Sequence, residues 1–138
     1  MTNLFIVSHI DDAELSCGGT IQKLIEKGDH VKVYSLSYRY NNEDLSSEFI
    51  KSMEALGVES FQYFNAETRR FNAHNNRIAD IMYEKMKGYD AIYTHSTFDR
   101  HPDHRIVAEQ ARRMHNENLF TFLCPWNGHH EENHFVEL

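Results

Sequence analysis

Two short segments of the chain place histidine beside aspartate. Residues 9–12 read His-Ile-Asp-Asp and residues 101–104 read His-Pro-Asp-His, in a sequence that holds ten histidines. Imidazole nitrogens and carboxylate oxygens are ligands that zinc and similar divalent metal ions take in proteins. The two segments therefore predict a metal site, provided that the fold brings them together.

The spacing within the segments indicates which residues bind the metal ion. His9 and Asp12 are three residues apart, so both side chains can face one point at a turn from a strand into a helix. His104 can supply a third ligand, and three ligands leave the open coordination position of a catalytic zinc site. A metal ion held there would acidify a water molecule and polarise a carbonyl oxygen.

Two neighbouring residues are candidates for proton transfer. Asp11 lies between two predicted ligands, so it must point away from the metal ion and can act as the general base. His101, if protonated, could stabilise a developing oxyanion or protonate a leaving amine.

A simpler interpretation exists for each segment taken alone. An aspartate at a helix start is more often an N-cap than a ligand, so Asp12 or Asp103 could have only that role. A single histidine is usually an ordinary surface or core residue. When the two segments are considered together, at the ends of strands that face one crevice, the metal interpretation is favoured.

Strand and helix patterns alternate along the chain. Helices ending at Gly28, Gly57 and Gly88 follow from apolar spacing and a glycine stop. The predicted helices are 12–27, 44–56, 73–87 and 103–115, and the predicted strands are 4–8, 31–36, 61–64, 91–94 and 119–124, with residues 135–136 as the start of a sixth.

This alternation predicts an α/β fold, a doubly wound, mostly parallel sheet with helices on both faces. The natural strand order is 3-2-1-4-5, which makes the first and fourth strands neighbours. The histidine–aspartate segments follow these two strands, so they would share the crevice beyond the carboxyl ends.

Composition narrows the range of functions. The 138 residues suit one domain, and a net charge of −7 argues against nucleic acid or an anionic membrane surface as the main partner. No apolar run approaches a membrane span, and the N-terminus lacks a signal-peptide pattern, so we expect a cytoplasmic protein. Cys17 and Cys124 are expected to be buried free thiols. Homo-oligomerisation is left open.

The residues resemble a known family. Residues 8–20, Ser-His-Ile-Asp-Asp-Ala-Glu-Leu-Ser-Cys-Gly-Gly-Thr, resemble the His-Pro-Asp-Asp-Glu…Gly-Gly signature of the LmbE-like, or PIG-L, de-N-acetylases. Residues 99–105 resemble that family's second signature, Asp-x-His-x-Asp-His. Intermediate features agree in order: Glu48 ahead of Leu56-Gly57-Val58, then Arg69-Arg70-Phe71 and Pro125-Trp126-Asn127.

The resemblance implies a Rossmann-like fold and a zinc ion held by His9, Asp12 and His104. It implies that Asp11 is the general base and that His101 stabilises the transition state. Family members deacetylate N-acetylglucosaminyl groups on lipids, thiol precursors or small glycans, so the expected partner is a small N-acetylated amino sugar or glycoconjugate.

The sequence departs from the family pattern in two places. Ile10 stands where proline is usual; proline would stiffen the turn, so ligand geometry is expected to be looser. The chain also ends at Leu138, where members usually continue with a further strand and helix. We therefore expect one LmbE-like domain, 1–138, that is short or truncated at its C-terminus.

Substrate contacts are signalled more weakly. Arg69 follows the third strand, and Trp126 and Asn127 follow the fifth, where an indole could stack on a sugar ring. The alternatives are a solvent-exposed arginine and an aromatic side chain that covers an open edge. The run 129–132 is expected to be a solvated loop.

These observations favour a zinc-dependent hydrolase that removes an N-acetyl group from an amino sugar. One alternative is a metal-dependent hydrolase of an ester or phosphoester, although phosphoester cleavage often uses two metal ions and more carboxylates. The other is a carbohydrate- or nucleotide-binding module whose catalysis has decayed. Retention of Asp11 argues against decay, because a binding module needs no base.

Overall fold

Five parallel strands form the sheet at the centre of the molecule. The computed structural model describes residues 1–114, 117–128 and 136–138. The strands of the large sheet are β1 Thr2–His9, β2 His30–Ser37, β5 Ser60–Tyr63, β6 Ala91–His95 and β7 Leu119–Phe122, while β3 Arg39–Tyr40 and β4 Glu43–Asp44 form a separate hairpin. The order is β5-β2-β1-β6-β7, all parallel. Counting only these five strands, this is the predicted order 3-2-1-4-5, which is confirmed.

In the part of the chain that the structure describes, four α-helices cover the two faces of the sheet. They are α1 Asp12–Glu26, α2 Ser46–Leu56, α3 Asn75–Lys85 and α4 Pro102–Met114, and a short 3-10 helix, Phe71–His74, precedes α3. The backbone turns into the left-handed region at Gly28, Gly57 and Gly88, just after the helices end, as the sequence predicts. None of these helices has the length and apolar composition that a membrane span requires.

Strand β1 shows why both faces need helices. Its side chains alternate across the sheet, so Leu4 and Ile6 pack against α3 and α4, and Phe5 and Val7 pack against α1 and α2. All four side chains are fully buried. A strand that is apolar on both faces is typical of the centre of a parallel sheet, and it fixes β1 there.

The topology brings the two histidine–aspartate segments together. β1 ends at His9, and α1 begins after a two-residue turn; β6, its neighbour, ends at His95, and α4 begins after a six-residue loop, at Pro102. Both turns open at the carboxyl edge of the sheet, where the strand order reverses and ligands bind in folds of this class.

The hairpin formed by β3 and β4 was not predicted. Residues 39–44 form it, and the helix expected from residue 44 begins at Ser46 because the Asp44 carboxylate accepts the amide N–H of Ser46 at 2.9 Å. The last strand ends at Phe122 rather than residue 124. His115, Phe135 and the run 129–132 lie outside the described residues.

Ile10 shows how the turn between β1 and α1 is held without proline. Its side chain is buried in the same apolar cluster as Phe5, Val7 and Ala13. Burial of a large aliphatic side chain contributes about 1.5–3 kcal/mol. The turn is therefore fastened by packing where proline would restrict the backbone.

Both cysteines are buried free thiols, as the sequence predicts. Burial raises the pKa of Cys17 to about 12, with a smaller contribution from Cys124. We expect Cys17 in the folded protein to react with iodoacetamide at pH 8 on the order of a thousandfold more slowly than in the unfolded chain, because the thiolate is the nucleophile. Peptide mass spectrometry after timed labelling measures Cys17 separately from Cys124. Equal rates in native buffer and in urea would contradict the packing of α1.

Candidate metal and catalytic site

Three donor atoms converge where β1, α1 and α4 meet. His9 Nδ1 lies 3.2 Å from His104 Nε2 and 3.5 Å from Asp12 Oδ2, and His104 Nε2 lies 3.2 Å from Asp12 Oδ2. Two ligands at about 2.0–2.1 Å from a tetrahedral zinc ion are about 3.3 Å apart. The donor atoms of His9, Asp12 and His104 therefore form a triangle of the size that one metal ion requires.

The outer nitrogen of each of these histidines faces a carboxylate. His9 Nε2 donates to Asp103 Oδ2 at 2.9 Å, and His104 Nδ1 donates to Asp99 Oδ2 at 2.8 Å. A carboxylate only accepts, so the outer nitrogens carry protons and the inner nitrogens can offer lone pairs. Metal-binding histidines usually have such partners, which fix the tautomer and raise ligand basicity.

The carboxylates also favour positive charge at the centre of the site. Burial lowers the pKa of His104, but hydrogen bonds to Asp12 and Asp99 outweigh it and raise the pKa to about 11. Burial would raise the pKa of Asp12, yet its hydrogen bonds to His104 and His9 hold that pKa well below its ordinary value. A cation between these groups, either a proton or a metal ion, meets the same electrostatic requirement.

Two further histidines sandwich the His104 ring. His95 stacks on one face, with ring centroids 3.8 Å apart, and His101 stacks on the other at 4.5 Å. His95 is fully buried, and its Nε2 accepts the amide N–H of Ser8 at 3.0 Å. Burial lowers the pKa of His95 to about 4, so it is neutral at pH 7 and packs against His104 without adding charge.

A second donor group lies on the outer side of His104. This outer group has four buried residues whose donor atoms lie within 4.8 Å of one another: His95, Asp99, His104 and Cys124. The donor atoms of His9, His101 and His104 also lie within 4.8 Å of one another, but these residues are less buried. The outer group could hold a metal ion by composition. However, Asp99 Oδ2 and His104 Nδ1 are 2.8 Å apart, which is shorter than the distance of about 3.3 Å between two ligands of one zinc ion. The inner triangle of His9, Asp12 and His104 is the better metal site on geometry.

Asp11 occupies the N-cap position of α1 but does not cap it. Its backbone is left-handed, with φ 114° and ψ −16°, and its side chain makes no cap hydrogen bond. Such a conformation is strained for an aspartate and persists where the surrounding structure imposes it. Burial and the neighbouring Asp12 raise the pKa of Asp11. A carboxylate that does not cap its helix and has a raised pKa is suited to accept a proton.

His101 is a hydrogen-bond donor toward the same site. Its Nδ1 accepts the amide N–H of Asp103 at 3.1 Å, which places the ring proton of the neutral form on Nε2. Burial and the nearby His9 and His104 lower the pKa of His101. The ring is therefore neutral at pH 7, unlike the protonated form considered from the sequence, and Nε2–H remains available.

The capping interpretation does not describe either aspartate. Asp12 Oδ2 accepts the amide N–H of His9 at 2.8 Å, outside the helix that Asp12 begins. Asp103 accepts the amides of Arg69 at 2.6 Å and Phe71 at 3.2 Å, besides the His9 ring. Asp103 thus joins a candidate metal ligand to the segment that follows β5.

The three residues predicted to contact the substrate, Arg69, Trp126 and Asn127, differ in exposure and in distance from the candidate metal site. Arg69 is exposed beside the site and has a left-handed backbone, with φ 69°. Asn127 Nδ2 lies 3.5 Å from His104 Nδ1, so this side chain contacts the outer side of the His104 ring, where Asp99 also lies. Trp126 is 63% exposed, which leaves its indole free to stack.

Sequence reasoning missed three residues of the site. Asp99 was quoted in the second signature but given no role, and neither His95 nor Cys124 was considered as part of the site. A signal for His95 existed, because it ends β6 as His9 ends the adjacent β1. Cys124 Sγ lies 3.9 Å from His104 Nδ1, and no spacing pattern pointed to that contact.

The chain belongs to the PIG-L, or GlcNAc-PI de-N-acetylase, family, whose model matches residues 4–115. That range includes every histidine and carboxylate of the inner donor set together with Asp99 and Asp103. Membership of this family supports the assignment of the chain to the deacetylase class of enzymes. No curated protein matches the chain in sequence.

Several solved structures share the fold. An N,N'-diacetylchitobiose deacetylase from Pyrococcus horikoshii is 21% identical, with a TM-score of 0.66 over 82% of this chain and 48% of that one. A conserved protein from Thermus thermophilus is 19% identical, with a TM-score of 0.70 over 95% and 68%. Teicoplanin deacetylase Orf2 is 16% identical, with a TM-score of 0.67 over 83% and 63%. The chain thus spans about half the length of the chitobiose deacetylase.

The inner triangle predicts the metal content of the purified protein. We expect roughly one divalent metal ion per chain, as in other three-ligand sites, and near-complete loss in His104→Ala. Elemental analysis after gel filtration measures it. His30→Ala, which removes an exposed histidine far from the site, is the matched control and should keep the metal. Unchanged metal in a folded His104→Ala protein would refute the ligand set.

The hydrogen bonds of Asp103 predict a role in holding the metal. Asp103 accepts from three donors, and an asparagine offers only one oxygen, so Asp103→Asn turns an N–H group toward at least one of them. We expect metal affinity to fall by about 10–100-fold, as for other outer partners of metal ligands. Competition with a chromophoric chelator measures the affinity. Asp80→Asn, on the exposed side of α3, should bind as the unsubstituted protein does; equal affinity in Asp103→Asn would remove this role.

Proposed function

We propose that this protein is a zinc-dependent hydrolase that removes an N-acetyl group from an amino sugar. One observation carries the proposal: the donor atoms of His9, Asp12 and His104 converge at metal-ligand separations beside the exposed Asp11, which does not cap its helix. Family membership supports the deacetylase class. The diacetylchitobiose and teicoplanin deacetylases of similar fold suggest a sugar-containing substrate.

The three donors fit zinc in kind as well as in separation. Two imidazoles and one carboxylate form a ligand set of catalytic zinc sites, with a fourth position left for water or substrate. A zinc ion in this position supplies a Lewis acid that lowers the pKa of a water molecule and polarises the acyl carbonyl. Asp99 and Asp103 hold the imidazoles of His104 and His9 in the tautomers that such binding needs.

Asp11 accepts the proton of the attacking water in this mechanism. Its carboxylate is exposed at the turn between two ligands, so it is within reach of the site without being bound in it. Its raised pKa makes it a better base for this step than an ordinary aspartate, since proton acceptance is most efficient when the pKa approaches the working pH.

His101 stabilises the oxygen of the tetrahedral intermediate. The amide of Asp103 holds the ring through Nδ1, and stacking on His104 fixes its plane. The neutral ring then presents Nε2–H to the developing negative charge. A preorganised donor of this kind costs no reorganisation during the reaction. The amine leaves with the proton that Asp11 has taken from water.

Substrate recognition is proposed for the two sides of the crevice. Trp126 offers an exposed indole after β7, and sugar rings commonly stack on such surfaces. Arg69 lies on the opposite side, after β5, with its backbone fixed by Asp103. The acetyl group would enter between them, above His9 and His104.

Replacement of Asp11 separates catalysis from metal binding. We expect Asp11→Asn to retain its metal and to release acetate from N-acetylated amino sugars roughly 10²–10⁴-fold more slowly, the usual contribution of a general base. Acetate release from a panel of such sugars measures the rate, with metal content determined on the same sample. Because a teicoplanin deacetylase of similar fold has a zinc-inhibited form, one equivalent of zinc should be used.

Asp80→Asn is the matched control, since it removes the same charge from an exposed position on α3. Loss of metal together with activity in Asp11→Asn would make Asp11 a ligand or a structural residue. An unchanged rate on a verified substrate would show that another group activates the water. Absence of acetate release from every N-acetylated sugar, with ester hydrolysis in the same metal-loaded protein, would refute the proposed bond.

A further inference from the structure

The outer group of His95, Asp99, His104 and Cys124 has a chemistry that the inner triangle lacks. Its donor atoms lie within 4.8 Å of one another. His95 and Cys124 are fully buried, and Asp99 is 1% exposed. These three residues come from the end of β6, from the loop that leads to α4 and from the segment after β7, so only the fold brings them together.

Cys124 gives the outer group a sulfur ligand. It is a free thiol whose Sγ lies 3.9 Å from His104 Nδ1 and 3.4 Å from Ser16 Oγ. A thiolate binds soft and borderline metal ions strongly. No residue of the inner triangle offers sulfur, so the two groups differ in the cations that they favour.

His95 has a buried ring nitrogen that lacks a hydrogen-bond partner among the residues that the structure describes. Its Nε2 accepts the amide N–H of Ser8 at 3.0 Å, whereas Nδ1 has no such partner. Buried polar atoms are almost always paired, so an exception points to a missing ligand. Because Nε2 is engaged, Nδ1 is the nitrogen that His95 offers to the outer group.

Asp99 can bind a cation without releasing His104. Its Oδ2 accepts from His104 Nδ1 at 2.8 Å, and its Oδ1 accepts the amide N–H of His101 at 2.8 Å. Each carboxylate oxygen has about two lone-pair sites, so each oxygen of Asp99 keeps one for a cation. His104, too close to Asp99 to share an ion with it, remains a neighbour of the site and keeps its orientation toward the inner triangle.

We propose that His95 Nδ1, a carboxylate oxygen of Asp99 and Cys124 Sγ form a second metal site, which takes a thiophilic divalent cation. One imidazole, one carboxylate and one thiolate suit zinc and the softer cadmium ion. Magnesium and calcium are disfavoured, because they take oxygen ligands. The proposal does not depend on the deacetylase activity.

The second site fills after the inner triangle. The donor atoms of the inner triangle already lie at the separations of zinc ligands, whereas those of the outer group, up to 4.8 Å apart, must approach by roughly 1 Å. The outer site therefore fills when the cation is in excess. This order agrees with the single metal ion per chain that we expect in the purified protein.

Binding redistributes two protons. The Cys124 thiol releases its proton to solvent when Sγ binds the cation. In the metal-free protein Nδ1 of His95 carries the ring proton, since Nε2 accepts the Ser8 amide. A cation on Nδ1 places that proton on Nε2, where Asp12 Oδ2 lies 3.3 Å away as an acceptor. The Ser8 amide then loses the partner that Nδ1 gains, which keeps the outer site weaker than the inner one.

Cadmium titration of the full chain, loaded beforehand with one equivalent of zinc, tests the site without reference to catalysis. We expect the ultraviolet charge-transfer absorption of a cadmium–thiolate bond to rise and to saturate at the intensity of a single thiolate. The inner triangle, without sulfur, contributes none. Excess magnesium should leave the cadmium affinity unchanged. A folded protein without this absorption at saturating cadmium overturns the proposal.

Two cysteine variants locate the absorption. Cys124→Ser should lose it, and Cys17→Ser is the matched control, because Cys17 is also a buried free thiol. The chain has two cysteines, so absorption that remains in Cys17→Ser belongs to Cys124 even if Cys124→Ser does not fold. Thermal unfolding verifies the fold of each variant. Loss of the absorption in a folded Cys17→Ser protein overturns the assignment.

Replacement of His95 by phenylalanine tests the imidazole ligand. His95→Phe keeps an aromatic ring to stack on His104 and removes both nitrogens. We expect cadmium to bind on the order of tenfold or more weakly, because one of three ligands is lost. His30→Phe, at an exposed position, should bind cadmium as the unsubstituted protein does. Equal cadmium affinity in a folded His95→Phe protein overturns the three-ligand site.

The two metal sites fail separately. His9→Ala removes a ligand of the inner triangle alone, so this variant should lose its zinc and keep the cadmium–thiolate absorption. Loss of that absorption in folded His9→Ala would show that Cys124 serves the inner triangle and would overturn a separate site. Cadmium–thiolate absorption in a protein that releases no acetate from any N-acetylated sugar would leave the second site standing and refute the deacetylase.

Discussion

Three buried carboxylates are the constraint on which the site depends. Asp12, Asp99 and Asp103 are each at most 6% exposed. An ionised carboxylate removed from water is stable only when hydrogen bonds and positive charge surround it. Each of the three therefore takes a histidine nitrogen as a partner, and the two imidazoles in the middle, His9 and His104, have carboxylates on both of their ring nitrogens. A cation between His9, Asp12 and His104 supplies the positive charge that stabilises these buried carboxylates.

One of these carboxylates also connects a candidate metal ligand to a neighbouring segment of the chain. Asp103 binds the amides of Arg69 and Phe71, which ties the segment after β5 to the His9 ring. Arg69 and Asp11 both adopt left-handed backbone conformations, and strain of this kind is tolerated where neighbouring contacts impose it. The candidate ligands are therefore bordered by two segments whose side chains, the Asp11 carboxylate and the Arg69 guanidinium, are exposed.

The inner candidate metal site lies entirely within the part of the chain that matches the family. Both candidate metal-binding histidines, Asp12 and the two outer carboxylates lie between residues 9 and 104, inside the region that matches the PIG-L family. A cavity lined by Arg39, Arg69 and Arg77 and the exposed Trp126 lie outside this ligand set, in the segments after β2 and β5, at the start of α3 and after β7. Loops at the carboxyl ends of parallel strands can change while the sheet that positions the candidate ligands stays the same.

The sequence by itself determined the strand order and which residues meet at the crevice. Apolar runs bounded by glycine stops locate the strands and helices, right-handed crossovers limit the order, and His9 and His104 follow from their places after the first and fourth strands. Only the tertiary structure decided that Asp99 and Asp103 hold the histidines, that His95 stacks on His104, and that Arg39 and Arg77 join Arg69. The physical reason is that periodicity records which face of an element is apolar, a local property. The direction of a loop side chain, and its partner many residues away, depend on how separate elements pack.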